Sequence, residues 1–296
     1  MAASSSEACA ALKSLIALRI GPDATPWIES TLSEITVETW GPKLNEVSRQ
    51  MGRRPLIAGF SERDAAELDG VCGPMKIGHW RTDESIKTLV LASLAEGSEH
   101  PFKTLFSIYD QGDSDIRVAA LRAVNFVTDD DVASGLELIH DAGRTYLDEL
   151  MGAAWCNNPF TAQHLNGTEY RKAVLKALFC NLPIDGFIGL NDRANEEMAN
   201  SLHDFADERE AAGREVPDSV WIVAAHHPRP GLVARLIGRL EHPLPKQRLT
   251  AAIALGNAKD PRALSFLKER HQREESPDVK DALVTAIEQS RGAVAE

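Results

Sequence analysis

Two carboxylates, Asp204 and Glu208, stand four residues apart in a stretch whose apolar residues recur at helical spacing. On a helix they lie one turn apart on one face, where like charges repel unless a cation or a shared proton compensates them. Such a pair admits two chemistries: an acid and base couple, or an anchor for cations that hold a ligand's oxygen atoms. Arg193, Arg209 and Lys176 are the candidate cations. It equally admits a plain reading, a solvated helix face with an Arg193–Glu197 pair at i,i+4. Lys172 and Lys176 share a second face, and are either snorkelling surface lysines or contacts for an anion or carbonyl. Asn157-Asn158-Pro159-Phe160 reads as a side-chain-capped turn, with Phe160 beside Trp155 as core or as the apolar wall of a pocket.

Other chemistries find little in the chain. His203 and Asp207 have an i,i+4 spacing that suits two metal ligands, yet no third ligand lies near in sequence. His226-His227 before Pro228 reads as the end of a helix, where histidine complements the dipole. There is no G-x-S-x-G elbow, no Walker A loop and no G-x-G-x-x-G turn. Cys9, Cys72, Cys156 and Cys180 are far apart with no C-x-x-C pair, as in free thiols of a reducing compartment. No cofactor, no metal and no catalytic residue is expected; an enzyme acting through Asp204 and Glu208 is the least favoured reading.

The elements that must position these residues are helices. One is expected from about Thr168 to Phe179, and a longer one from about Asn191 to Ala212, closed by Gly213 at a C-cap. On the longer helix Ala194, Met198, Leu202 and Phe205 form the stripe expected to be buried, opposite Arg193, Glu197, Asn200, Asp204 and Glu208. Upstream, Ser4 and Glu7 suggest a capping box, and Thr25-Pro26 opens a second helix. The Gly- and Pro-rich stretch 52–80 reads as a connector with one short helix near Ser61 to Leu68.

From Thr82 onward one helix recurs: Lys87 to Leu94, Arg117 to Val124, Arg171 to Leu178, Arg248 to Leu255 and Lys280 to Ile287. Each begins with a basic residue, has small or apolar residues in the middle, Ala or Ser seventh and an aliphatic eighth. Small residues let helices approach and aliphatics fill the layer between them. The expected fold is all-α, a right-handed α-solenoid of HEAT-like repeats with no significant sheet, over 1–296 as a single domain.

The 296-residue chain carries a net charge of −12. That balance argues against nucleic acid, whose phosphates need a basic surface, and against an anionic membrane leaflet. With no apolar run near the length of a membrane span and no basic-then-apolar leader, the expectation is a cytoplasmic protein without direct membrane insertion.

Two resemblances add to this. Residues from about 230 to 290, with the Asp260-Pro261 turn and Ser276-Pro277-Asp278, resemble a HEAT-like repeat of the kind in phycobilin-lyase-type solenoids. The centre resembles the EboA family in Asn157-x-Pro159-Phe160, in Ala173 to Phe179, in Leu182-Pro183 and in Gly189-Leu190 through Arg193 and Asn195. The match continues through Asp204, Glu208-Arg209 and Gly213-Arg214, while Phe205 and Glu210 depart from the family's pattern. On this reading 1–80 are irregular N-terminal helices, 81–216 EboA-like helices and 217–296 HEAT-like repeats. The resemblance implies a role in metabolite traffic within secondary metabolism. It implies a hydrophobic small metabolite as cargo, and a membrane-associated prenyltransferase-like or other cluster-encoded protein as partner. The expected binding residues are Asn157, Phe160, Lys176, Arg193, Asn195, Asp204, Glu208 and Arg209. The alternative is an interaction scaffold whose acidic groove selects a basic protein.

Overall fold

The computed structural model describes residues 3–21 and 25–295. The chain is all-α apart from one small hairpin and separates into two compact units. The first comprises Met1–Leu182 with Gly186–Ile188, the second Pro183–Asp185 with Gly189–Glu296. The sequence reads as one continuous array; the division falls where the turns of 180–195 replace helix.

In the first unit the helices are α1 (Ser5–Ile20), α2 (Thr25–Glu34), α3 (Trp40–Met51) and α4 (Phe60–Ala65), then strands β1 (Glu67–Gly70) and β2 (Gly73–Lys76). There follow α5 (Thr82–Glu96), α6 (Pro101–Gln111), α7 (Ser114–Ala123), α8 (Val132–Arg144), α9 (Asp148–Trp155), α10 (Pro159–His164) and α11 (Gly167–Phe179). The expected capping box is present: Ser4 accepts from the Glu7 amide while Glu7 accepts from the Ser4 amide. The short helix of the connector ends earlier than its composition suggests. Residues 67–76 instead pair as a hairpin, Leu68 opposite Met75, because Met75 is buried and the Val71 amide donates to the Asn125 carbonyl at 2.9 Å. A pairing partner so distant in sequence overrides the local helical preference.

α5 is the centre of this unit, with α1, α2, α3, α6 and α7 all packed on it. Ala8, Leu12 and Ile16 of α1 and Leu44 and Val47 of α3 are fully buried. Asn158 ties α7, α9 and α10 together: its Oδ1 caps Thr161 (3.1 Å) and its Nδ2 donates to the Ala153 and Leu121 carbonyls.

The second unit contains α12 (Glu196–Ala211), α13 (Asp218–Ala224), α14 (Leu232–Arg239), α15 (Pro245–Ala258), a 3-10 turn at Pro261–Ala263, α16 (Leu264–Arg273) and α17 (Pro277–Ala295). α12 starts at the Asn195 cap, several residues later than hydrophobic spacing suggests, because Gly189 and the turns after it carry residues 189–194. Ala194 therefore precedes the helix, and the buried stripe is Met198, Ala199, Leu202, His203, Phe205 and Ala206. At its other end Gly213 has φ +65°, with Gly213 N–H on the Glu210 carbonyl and Arg214 N–H on that of Arg209. This is the paired bonding of a Schellman cap. α15 packs closely on α17; a Cβ at Gly256 would lie 2.2 Å from the Gln289 amide oxygen and 3.1 Å from Ala286.

Arg248 locks the repeat. Its Nε and Nη2 donate to the two oxygens of Glu274 (2.7 Å each), and Nη1 donates to the carbonyls of His242 and Pro243. Arg270 and the amides of Glu275 and Ser276 complete the buried Glu274 shell. The Arg248 bond foremost, against the opposing effect of burial, holds the Glu274 carboxyl far below its ordinary value of 4.5. Its stabilisation is thus present above pH 4.5 and drains away as the pH falls below it. Arg248→Met, which leaves Glu274 buried against a single arginine, is expected to cost about 3 kcal/mol. Urea denaturation at pH 7 checks this, and a cost under about 1 kcal/mol would show that the lock is not structural.

Candidate functional site

The candidate residues fall into both units. In the first, α11 is opened by a capping box in which Asn166 and Glu169 exchange hydrogen bonds. Its Ala173, Val174, Ala177 and Leu178 face the core, which leaves Lys172 and Lys176 outward, one turn apart. These lysines line a groove of about 630 Å³ with Leu175, Phe179 and Cys180 of the same helix end and Tyr146 and Asp148 before and at the start of α9. Lys176 donates from Nζ to the Gly143 carbonyl (2.6 Å) and sits 4.7 Å from the centre of the Tyr146 ring. Tyr146 is 82% exposed and Phe179 63%. Both rings therefore stand largely in water at the rim of this concavity.

Asn157 and Phe160 do other work. Asn157 adopts φ +53°, a left-handed conformation asparagine tolerates, and its amide donates to the Gly186 carbonyl at 2.7 Å. Phe160 is 1% exposed, edge-on to Phe102 with centroids 5.2 Å apart, and its amide donates to Asn125 Oδ1. Of the two readings its sequence allowed, core is the one the packing selects.

In the second unit, Asn195 is the N-cap of α12 and accepts from the Met198 amide (2.9 Å). Asp204 and Glu208 both face solvent. The compensating cation for Asp204 is Arg229, at 2.7 Å, which also donates to the side chain and carbonyl of Asn200. Arg229 follows the His226-His227-Pro228 stretch, so nothing in the local spacing around Asp204 points to it. Further along the face Arg235 pairs with Glu210 (3.1 Å). Arg193 lies in the turn before the helix, its amide donating to the Gly189 carbonyl. Arg209 donates from Nε to the Glu215 carbonyl (2.7 Å), and lines a second groove of about 500 Å³ with Val216, Ile222, Lys246, Leu249 and Ile253. His203 is buried, and its Nε2 lies 3.1 Å from the His227 carbonyl, which can only accept, so that nitrogen carries the proton.

A buried polar cluster at the start of α5 was not legible as a site. Asp83, fully buried, accepts from Ser48 (2.8 Å) and Arg81 (3.1 Å); Asp115 pairs with Arg53 and with Arg81 (2.8 Å). Lys87, 3% exposed, donates to Ser48 at 3.0 Å and lies 3.6 Å from Asp115. Glu84 faces Arg122 at 2.7 Å, a close but off-axis pair, and Trp80 covers the guanidinium. Burial works against ionised Asp115, but Arg81, Lys87 and Arg53 outweigh it and hold the carboxyl below its ordinary value. Every acid here is matched to cations, an arrangement that holds helices in place. The run Arg81-Thr-Asp-Glu-Ser-Ile-Lys87 is dense in charge, but Asp83, Glu84 and Lys87 share one side of the helix as a solvated face would, so spacing does not reveal that they are buried.

Among the described residues no group of three or more potential ligands is placed to hold a metal ion. None of the described helices is long and apolar enough to cross a membrane.

Comparison with known proteins places residues 8–225 in the family described as "Metabolite traffic protein EboA" and residues 203–288 in the HEAT repeats. No curated protein and no solved structure matches the chain.

Asp204→Ala removes an exposed pair and is expected to move the urea midpoint by the equivalent of less than about 1 kcal/mol. A larger loss would place the pair in a buried network. Burial, foremost, holds His203 neutral with a depressed pKa, so the unfolded chain takes up a proton at the ordinary value of 6.5 before the fold does. Stability is therefore complete above pH 6.5 and declines as the pH drops below it. His203→Gln, which keeps a donor, should flatten the decline in Tm between pH 7.5 and 5.5. An unaltered slope would remove His203 from the account.

Proposed function

We propose that this chain, which belongs to the EboA family, is a non-enzymatic carrier that binds a hydrophobic small metabolite on the outward face of α11. Family membership supports a part in metabolite traffic. The observation that carries the site is the groove of Tyr146, Lys172, Leu175, Lys176 and Phe179, where exposed aromatic faces surround lysines. Its volume of about 630 Å³ suits a molecule of small-metabolite size. Of the eight candidate residues, Lys176 lies in this groove; in the same unit Phe160 is core and half-buried Asn157 ties its turn to Gly186. Arg193, Asn195, Asp204, Glu208 and Arg209 belong to the second unit. There they shape α12 and its ends, with Arg209 at a groove of its own.

We place the carrier in the cytoplasm, handing its cargo to a membrane-associated protein encoded in the same cluster. The net charge of −12 disfavours direct adsorption to an anionic leaflet and so favours transfer through a protein partner. A second reading, a scaffold for a partner protein, draws on the 500 Å³ groove of α13 and α15. Its apolar floor of Val216, Ile222, Leu249 and Ile253 is bordered by both signs of charge.

Native mass spectrometry of the protein purified from its own host, without denaturing steps, separates the two. The carrier reading expects a discrete adduct of a few hundred daltons that Phe179→Ala and Lys176→Ala diminish. A co-purifying polypeptide with no small adduct, undisturbed by those substitutions, would replace the carrier with the scaffold.

A further inference from the structure

We infer that the groove on α11 takes an amphipathic anion, its acidic group on Lys172 and its apolar, ring-bearing body against Leu175, Phe179 and Tyr146. The inference rests on the carrier reading and narrows it to a class of ligand.

The two lysines of the groove are not equivalent. Lys176 is committed: its ammonium donates to the Gly143 carbonyl at 2.6 Å and lies against the Tyr146 ring. It closes the end of α8 and fixes the aromatic rim. Lys172, one turn earlier, is exposed, and its ammonium makes no ion pair or hydrogen bond among the described residues. One acid lines the groove, Asp148. It occupies the first turn of α9, where the helix dipole favours negative charge. The lining thus presents an available cation on a protein of net charge −12, a local reversal of sign that favours a compact oxyanion at close range. A lysine ammonium is a point charge without the planar fork of arginine, so one carboxylate, sulfonate or phosphate monoester matches it.

The apolar part follows from helix geometry. Phe179 lies seven residues beyond Lys172, roughly 10 Å along the axis, with Leu175 between them. A ligand that spans this interval carries its acid at one end and its rings at the other. A wholly apolar ligand would cover Lys172 without giving it a counter-charge, which is unfavourable. A polyphosphate would meet one available ammonium and a mostly apolar wall. The amphipathic acid is the class that uses both ends.

Two fluorescent probes with the same ring body test this: the anionic 8-anilino-1-naphthalenesulfonate and the neutral N-phenyl-1-naphthylamine. The native protein is expected to bind the anionic probe about tenfold more tightly, an advantage that shrinks as salt is raised. Lys172→Gln, an exposed change that leaves the fold intact by circular dichroism, should abolish that advantage and leave the neutral probe unaffected. Phe179→Ala should weaken both. Equal binding of the two probes, unaltered in Lys172→Gln, would overturn the anion assignment while the carrier reading stands. If neither probe binds, or if both bind undiminished to the Lys172→Gln, Phe179→Ala double variant, the groove is not the site and both readings fall.

Discussion

The structure depends on cations at the first position of the repeat in three of its helices, Lys87, Arg117 and Arg248, each reaching groups that neighbouring elements leave unsatisfied. A helix ends with carbonyls that have no partner of their own, and its C-terminus carries partial negative charge. Arg117 answers both at the end of α6, donating to the carbonyls of Tyr109, Asp110 and Gly112. Arg248 reaches the carbonyls of His242 and Pro243 in the loop between α14 and α15, and adds the two oxygens of Glu274. Lys87, in the second turn of α5, has Ser48, Asp115 and Asp83 as its surroundings. In each case the cation ties one element to the next, and small residues follow it in the repeat where helices pack closely. The aliphatic positions fill a layer whose spacing the polar contacts have already defined.

The same repeat register explains where the grooves lie. Lys172 and Lys176 hold the second and sixth positions of the repeat in α11, and Leu249 and Ile253 hold them in α15; both pairs line a groove. In α5 these positions are Thr88 and Ala92, fully buried in a helix on which α1, α2 and α3 pack. In α7 they are Val118 and Arg122, the latter beneath Trp80. One face of a recurring helix is therefore closed in the early repeats of the first unit and open at α11. Side-chain choice then differentiates the open faces. α11 offers lysines between aromatics, while α15 offers an apolar floor.

The acidic face of α12 illustrates how little a charge pattern decides alone. Asp204 and Glu208 are compatible at one turn's separation because both stand in water and Arg229 neutralises one of them. Exposed pairs of this kind contribute little to stability, and their carboxylates are not held in a dry cleft of the sort that tunes an acid or base. The deeply buried charges of the molecule, Glu274 and the Asp83–Lys87 cluster, are matched by cations and hydrogen bonds. Charges buried and satisfied in this way serve register and packing.

What the amino-acid sequence determined by itself is the all-α class, the recurring helix, the capping chemistry at Ser4 and Gly213, and the kinship of the central residues. These rest on interactions between residues a few positions apart, which spacing and residue type fully express. The uneven start of α12, the hairpin at 67–76 and the division into two units were decided by tertiary structure. So were the core placement of Phe160 and the partnership of Asp204 with Arg229. Each depends on a contact between distant segments: Val71 with Asn125, Phe160 with Phe102, Arg229 with Asn200. Lys176 was legible as a candidate because lysines four apart must share a face. That its ammonium is bound to Gly143 while Lys172 is left available emerges only when α8 and α11 are brought together. A helix's own periodicity says which residues look the same way, and only its neighbours determine what they look at.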